Sequence, residues 1–167
     1  MIEFNEPLMR RLEHLEACEA IRRCVYAYAL AGDRGNHTGI LSGLFADDVI
    51  FEATGMARFS GRDEVLAGLA EIARKTVLWA FHVPAGPLID LAVDMKSARC
   101  FWWLWAPVRL ETGSGAGEPY WGAGHYNADL VERNGEWRFR RILLETKFQT
   151  PFTGPWTEIE GEFEWPR

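Results

Sequence analysis

The spacing of apolar residues changes at Thr76, and that change fixes the order of layers available to the fold. Upstream, from Pro7 to about Leu30, the residues Leu8, Leu12, Leu15, Cys18, Ile21, Cys24, Val25 and Tyr28 recur at steps of three and four, the spacing of one buried helix face. Pro7 suits the first turn of that helix. Gly32, just before Asp33, suits its end, because glycine accepts the left-handed conformation that closes many helices. A second helix is predicted over residues 36–45, with Ile40, Leu41, Leu44 and Phe45 on one side, and a strand over 49–53. Gly61-Arg62-Asp63-Glu64 opens a third helix carrying Val65, Leu66, Leu69, Ile72 and Ala73.

Downstream the pattern is that of strands, predicted over residues 77–83, 88–93, 98–110, 120–132 and 137–149. Asn134-Gly135 joins the last two as a hairpin, since both residues accept positive φ. Helices first and long antiparallel strands later imply one α+β domain, in which a strongly curved antiparallel sheet wraps three helices into a cone-shaped α+β barrel with an interior. The domain is expected to span residues 1–167, with its core at about 10–150. The tail, 151–167, carries Trp156, Phe163 and Trp165, placed to cap the open end or reach a neighbouring subunit.

Composition excludes several classes. With 48% hydrophobic and 13% aromatic residues, the chain has too much apolar surface to remain disordered. The net charge of -6, with basic residues scattered and densest only at Arg138, Arg140 and Arg141, disfavours nucleic acid. Cys18, Cys24 and Cys100 lack the paired spacing of a zinc site and, being odd in number, do not form a disulfide framework, so they are expected as buried thiols in a reducing compartment. No apolar run reaches the roughly 18 residues of a membrane span and the first residues are not signal-like, so a cytoplasmic protein is expected. The glycine run at 113–117 opens no helix and suits a hairpin tip better than a phosphate loop.

The residue with most chemical promise is His82, set in the apolar stretch Val77-Leu78-Trp79-Ala80-Phe81-His82-Val83. Imidazole titrates near neutrality, and a carboxylate such as Asp33, by accepting a hydrogen bond from one ring nitrogen, would fix the tautomer and turn the other nitrogen toward a substrate. Tyr28 and Tyr126 are candidate hydrogen-bond donors to charge growing in a transition state. His14 and His37 make no metal set, and no ligand spacing for a metal occurs. On the strand around 100–108, Trp102, Leu104, Ala106 and Val108 share one face and Phe101, Trp103 and Trp105 the other. Three large aromatics on one face suggest a subunit contact, and with it a homo-oligomer, dimer or trimer; His125 shares that outward parity.

Taken in order, Tyr28-Ala29-Leu30-Ala31-Gly32-Asp33, Leu44-Phe45-Ala46-Asp47-Asp48-Val49, Gly61-Arg62-Asp63-Glu64, Phe81-His82, Gly124-His125-Tyr126 and Asn134-Gly135-Glu136-Trp137-Arg138-Phe139 resemble the SnoaL-like branch of the nuclear transport factor 2-like superfamily over about residues 10–150. Scytalone dehydratase and bile acid 7-alpha-dehydratase belong to this superfamily. The resemblance implies Asp33 and His82 as a catalytic pair, with His82 on an early strand, and Tyr28 as a third catalytic residue. It places Trp102, Leu104 and Val108 inside, with Gly124, Tyr126 and Ala128 on the next strand. Tyr126, Trp102, Leu104 and Val108 would then bind the substrate.

The implied activity is a cofactor-independent dehydratase acting on a hydrophobic cyclic or polycyclic oxygenated molecule. The alternatives are a ketosteroid-isomerase-like isomerase or polyketide cyclase, and a non-catalytic protein that binds a ligand or assembles like a dioxygenase β subunit. Two features depart from relatives. A second histidine expected near Pro107-Val108 is missing, and an arginine late in the last strand is replaced by Thr146 or Lys147.

Overall fold

The computed structural model describes residues 6–113, 115 and 117–153. Helix α1 (Glu6–Asp33) leads to α2 (Thr38–Leu44), β1 (Phe45–Ala53), β2 (Ala57–Ser60) and α3 (Arg62–Lys75). There follow β3 (Val77–Ala80), β4 (Val83–Leu91), β5 (Ser97–Leu110), β6 (Glu118–Arg133) and β7 (Glu136–Pro151). The strands form one sheet in the order β2-β1-β7-β6-β5-β3, with β4 also on β5. The sheet curls around the helices into the expected α+β cone. One pairing, β1 with β7, is parallel and the others are antiparallel.

Burial along α1 begins at Cys18 and continues through Ile21, Cys24, Val25 and Tyr28. The apolar periodicity starts earlier, but Leu8, Leu12 and Leu15 are exposed, so only the later turns meet the core. The helix also ends differently from expectation. Gly32 lies inside α1 without positive φ, and the chain turns at Gly35 (φ 68°) and Asn36 (φ 55°). The second helix is shorter than expected, because Phe45 leaves it to start β1; exposed His37 caps it by accepting from the Ile40 amide. α3 carries Asp63 and Glu64 in its first turn and Arg74 and Lys75 in its last, complementing the helix dipole.

Asn134 (φ 54°) and Gly135 (φ 84°) make the anticipated two-residue turn between β6 and β7. The glycine run lies between β5 and β6, where Glu111 Oε1 accepts from the Gly113 and Gly115 amides, at 2.6 and 3.1 Å. Those amides are therefore already engaged by a carboxylate. Cys18, Cys24 and Cys100 are free, buried thiols. Trp156, Phe163, Trp165 and the capping role of the tail lie outside the described residues.

The feature that positions the site is a break in the edge of the sheet. β3 and β4 both pair with β5, Ala80 opposite Val108 and Val83 opposite Trp105, so the register runs through Phe81 and His82 although neither belongs to a strand. The Phe81 amide still donates to the Pro107 carbonyl (3.0 Å). The His82 amide instead turns to the end of α1. His82 thus sits between strands rather than on one, and the stretch expected as the strand 77–83 is divided there.

Candidate active site

Asp33, the last residue of α1, holds His82 by two bonds to a single oxygen. Its Oδ1 accepts from the His82 backbone N–H at 2.7 Å and from ring Nδ1 at 2.8 Å. A carboxylate only accepts, so Nδ1 carries a proton in this contact, and in the neutral ring the lone pair falls on Nε2. Both side chains are about four-fifths buried, which shields the pair from the screening that weakens exposed ion pairs. Amide and ring together fix both the chain and the imidazole against the helix end.

Two adjoining cavities, each of about 100 Å³, meet at this ring. They share Met56, Val77, His82, Tyr126 and Leu144 as walls. The first chamber extends toward the helices, past Tyr28, Gly32, Phe51, Leu69 and Ile72. The second runs along the sheet, past Leu104, Val108, Gly124, Thr146 and Gln149. Among the described residues, neither wall contains Asp, Glu, Lys or Arg. Asn36 reaches the first chamber, but its Nδ2 already donates to the Leu69 carbonyl at 2.8 Å. Asp33 lines neither chamber and stands behind the imidazole.

Tyr28 lies four residues before Gly32 on the same helix face, so both reach the first chamber. Its ring meets Tyr126 edge-on, with centroids 5.7 Å apart. Burial raises the Tyr28 phenol well above its ordinary range; the nearby Tyr126 and the hydrogen bond between the two phenols raise it further. Burial also raises Tyr126, partly opposed by the bond received from Tyr28. Both therefore stay neutral near pH 7. Tyr126 borders both chambers.

Of the other residues named from sequence, Leu104 and Val108 line the second chamber. Trp102 is on the same face of β5 but lines neither cavity. It is buried to 1% exposure and stacks on Tyr126 at 4.8 Å, supporting the phenol from the core. Thr146 faces the second chamber, whereas Lys147 pairs with Glu145 Oε1 at 3.6 Å. Among the described residues no group of three or more His, Cys, Asp or Glu is placed to hold a metal.

Sequence reasoning missed a second imidazole–carboxylate pair. On the outer face His125 Nε2 bonds Glu145 Oε2 at 2.8 Å, and Asn127 Nδ2 donates to the same oxygen at 3.3 Å. Period-two parity gives a residue's face but not its partner on the next strand, which here sits opposite by register. A concavity of about 580 Å³ is also on this outer face, between Asp90, Arg99, Phe101, Asn127, Asp129 and Arg141. It lies away from His82.

A curled sheet closed over three helices, with an apolar interior beside the end of the first helix, defines a cone-shaped α+β protein of the nuclear transport factor 2-like superfamily. The chain belongs to the SnoaL-like domain family, whose profile matches residues 13–142. No curated protein matches it by sequence. Among solved structures it resembles a type 2 hexachlorocyclohexane dehydrochlorinase, LinA, with TM-score 0.80 and 16% identity over 91% of this chain and 99% of that one. A type 3 form from Novosphingobium barchaimii gives 0.77 and 17% identity, covering 93% and 99%. A scytalone dehydratase-like protein from Novosphingobium aromaticivorans gives 0.72 and 23%, covering 91% and 98%. At these identities the likeness establishes the fold. No helix among the described residues is long and apolar enough to cross a membrane.

Proposed function

We propose that the protein is a cofactor-independent lyase that eliminates water from a compact, neutral, cyclic oxygenated molecule, with His82 as the base. The observation that carries this reading is the 2.8 Å Asp33–His82 bond at the junction of two apolar chambers. His82 Nε2 takes a proton from a carbon next to a carbonyl or other electron-poor group. The electron pair forms the new double bond, hydroxide leaves the adjacent carbon, and the imidazolium returns its proton so that water is the net loss. Asp33 is a positioning residue that steadies the imidazolium. Tyr126, backed by Tyr28, donates to the developing enolate or the departing oxygen.

The walls narrow the substrate. A guest carrying a carboxylate or phosphate would find no Lys or Arg side chain among the described residues of either chamber, and burying such a charge unpaired is costly. Each chamber is also smaller than the roughly 300 Å³ at which ordinary ligand pockets begin, which favours a single-ring guest over a polycyclic one. The solved dehydrochlorinase relatives raise hydrogen chloride as the alternative leaving group.

Mass spectrometry of products from neutral cyclic alcohols, ketols and halides separates these cases. Loss of water supports the proposal, loss of hydrogen chloride changes the leaving group, and an isomer of unchanged mass makes the same base an isomerase. Binding without turnover, unaffected by His82→Ala, would point to a ligand-binding protein.

The partner in this reading is a second copy of the chain, docked through the outer face. Trp103, Trp105 and Phe148 are exposed there, beside Asp90, Arg99, Asp129 and Arg141, whose mixed charges suit a self-complementary contact. Sedimentation of the protein and of Trp103→Glu tests this; a homo-oligomer that the substitution disperses is expected, and a monomer at all concentrations overturns it.

A further inference from the structure

We infer that Gly32 is a positioning residue for His82: the side chain it lacks is the space in which the imidazole lies. The inference rests on the reading of His82 as the base. A Cβ built on Gly32 would stand 2.8 Å from Cε1, 3.0 Å from Nδ1 and 3.5 Å from Nε2 of His82, and no other group comes as near. The imidazole therefore packs directly over the helix backbone at this position. Most side chains crowded in this way could rotate aside. This ring is tethered, because its Nδ1 and its own backbone amide both bind Oδ1 of Asp33, the residue next to Gly32. Rotation away from a methyl group at position 32 lengthens the Nδ1–Oδ1 bond and releases the tautomer.

Backbone conformation does not account for this glycine. Gly32 is helical, and the positive φ values that end α1 belong to Gly35 and Asn36. Within a helix, alanine is the more favourable residue, since glycine has more conformational freedom to lose. Position 32 thus gives up helix stability, and the imidazole occupies the space so vacated.

Gly32 also lines the first chamber, so lost turnover in Gly32→Ala could come from a narrower cavity. The deciding readout is long-range proton–nitrogen NMR of the His82 ring in the ligand-free protein, assigned by its disappearance in His82→Ala. The parent should show a protonated Nδ1 and a bare Nε2. Gly32→Ala should lose that pattern as Asp33→Asn does, and adding Gly32→Ala to His82→Ala should raise Tm more than adding it to the parent. An unchanged ring pattern in Gly32→Ala, or the same Tm increment with and without the ring, overturns the inference. If Gly32→Ala alone fails to fold, the double variant decides: recovery supports the steric conflict, and no recovery overturns it. If His82 is not the base, His82→Ala keeps its turnover while the Gly32 ring pattern still changes, so the two failures are told apart.

Discussion

Among the described residues two histidine–carboxylate pairs have the same 2.8 Å length, and they differ in the nitrogen that is left over. At His82 the carboxylate takes Nδ1, and Nε2 remains on a ring that borders two cavities. At His125 the carboxylate takes Nε2, while Nδ1 is buried without a hydrogen bond and the ring is flanked by Phe101 and Trp103, at 5.1 and 5.7 Å between centroids. A short bond to a carboxylate does not therefore make a base. The proposed base also needs access to the opposite nitrogen, and of these two rings the inner one borders the chambers.

The strongest way to break this contrast is to remove each ring. Turnover of an identified substrate should fall at least about a hundredfold in His82→Ala, the low end of general-base effects, with circular dichroism unchanged. His125→Phe should leave kcat within about twofold, because no reacting atom is near it. Equal losses in the two variants would erase the distinction.

Asp33→Asn comes next. The amide can present its NH2 group to Nδ1 and favour the wrong tautomer, so a loss of more than about tenfold in kcat with little change in KM is expected from steady-state kinetics. Glu145→Gln, the outer counterpart, should leave kcat unchanged. Tyr126→Phe should cost about tenfold in kcat if its hydroxyl meets the developing charge, and Tyr28→Phe less, since it acts through Tyr126. A larger loss in Tyr28→Phe would reverse the order of the two donors.

The smallest effect concerns two thiols of the main core. Burial raises the Cys24 thiol from 9.0 to about 11 and the Cys100 thiol from 9.0 to about 12. Their folded values exceed the unfolded ones, so their contribution to stability is complete below pH 9 and is lost as pH rises toward 11 and 12. Thermal denaturation should show Tm falling across this range, with a slope of at most about 1.4 kcal/mol per pH unit per thiol. Cys24→Ala combined with Cys100→Ala should flatten that slope; if it does not, the buried tyrosines dominate the alkaline loss.

Local signals were the legible ones. The opening of α3 at Gly61 and the turn at Asn134-Gly135 follow from residues adjacent in the chain. The four-residue β2 was missed because it falls between Gly55 and Gly61, where turn residues mask so short an alternation. The parallel pairing of β1 with β7 joins segments far apart in sequence and has no local signature. The apolar steps of α1 gave its face but not the length over which other elements cover it, which left Leu8, Leu12 and Leu15 on the wrong side of the expectation. For the site, the apolar setting of His82 and the family resemblance together brought Asp33 and His82 forward, 49 residues apart, while the reason for Gly32 became visible only with the ring in place.

The interruption between β3 and β4 has a second effect, on solubility. A long, flat sheet margin offers its unpaired amides and carbonyls to any other extended chain, and proteins commonly blunt such margins with prolines or irregularities. Here β3 has four residues, and Pro84 and Pro87 remove donors from β4. The gap that lets His82 turn toward Asp33 thus also makes this rim a poor template for fibril-like growth.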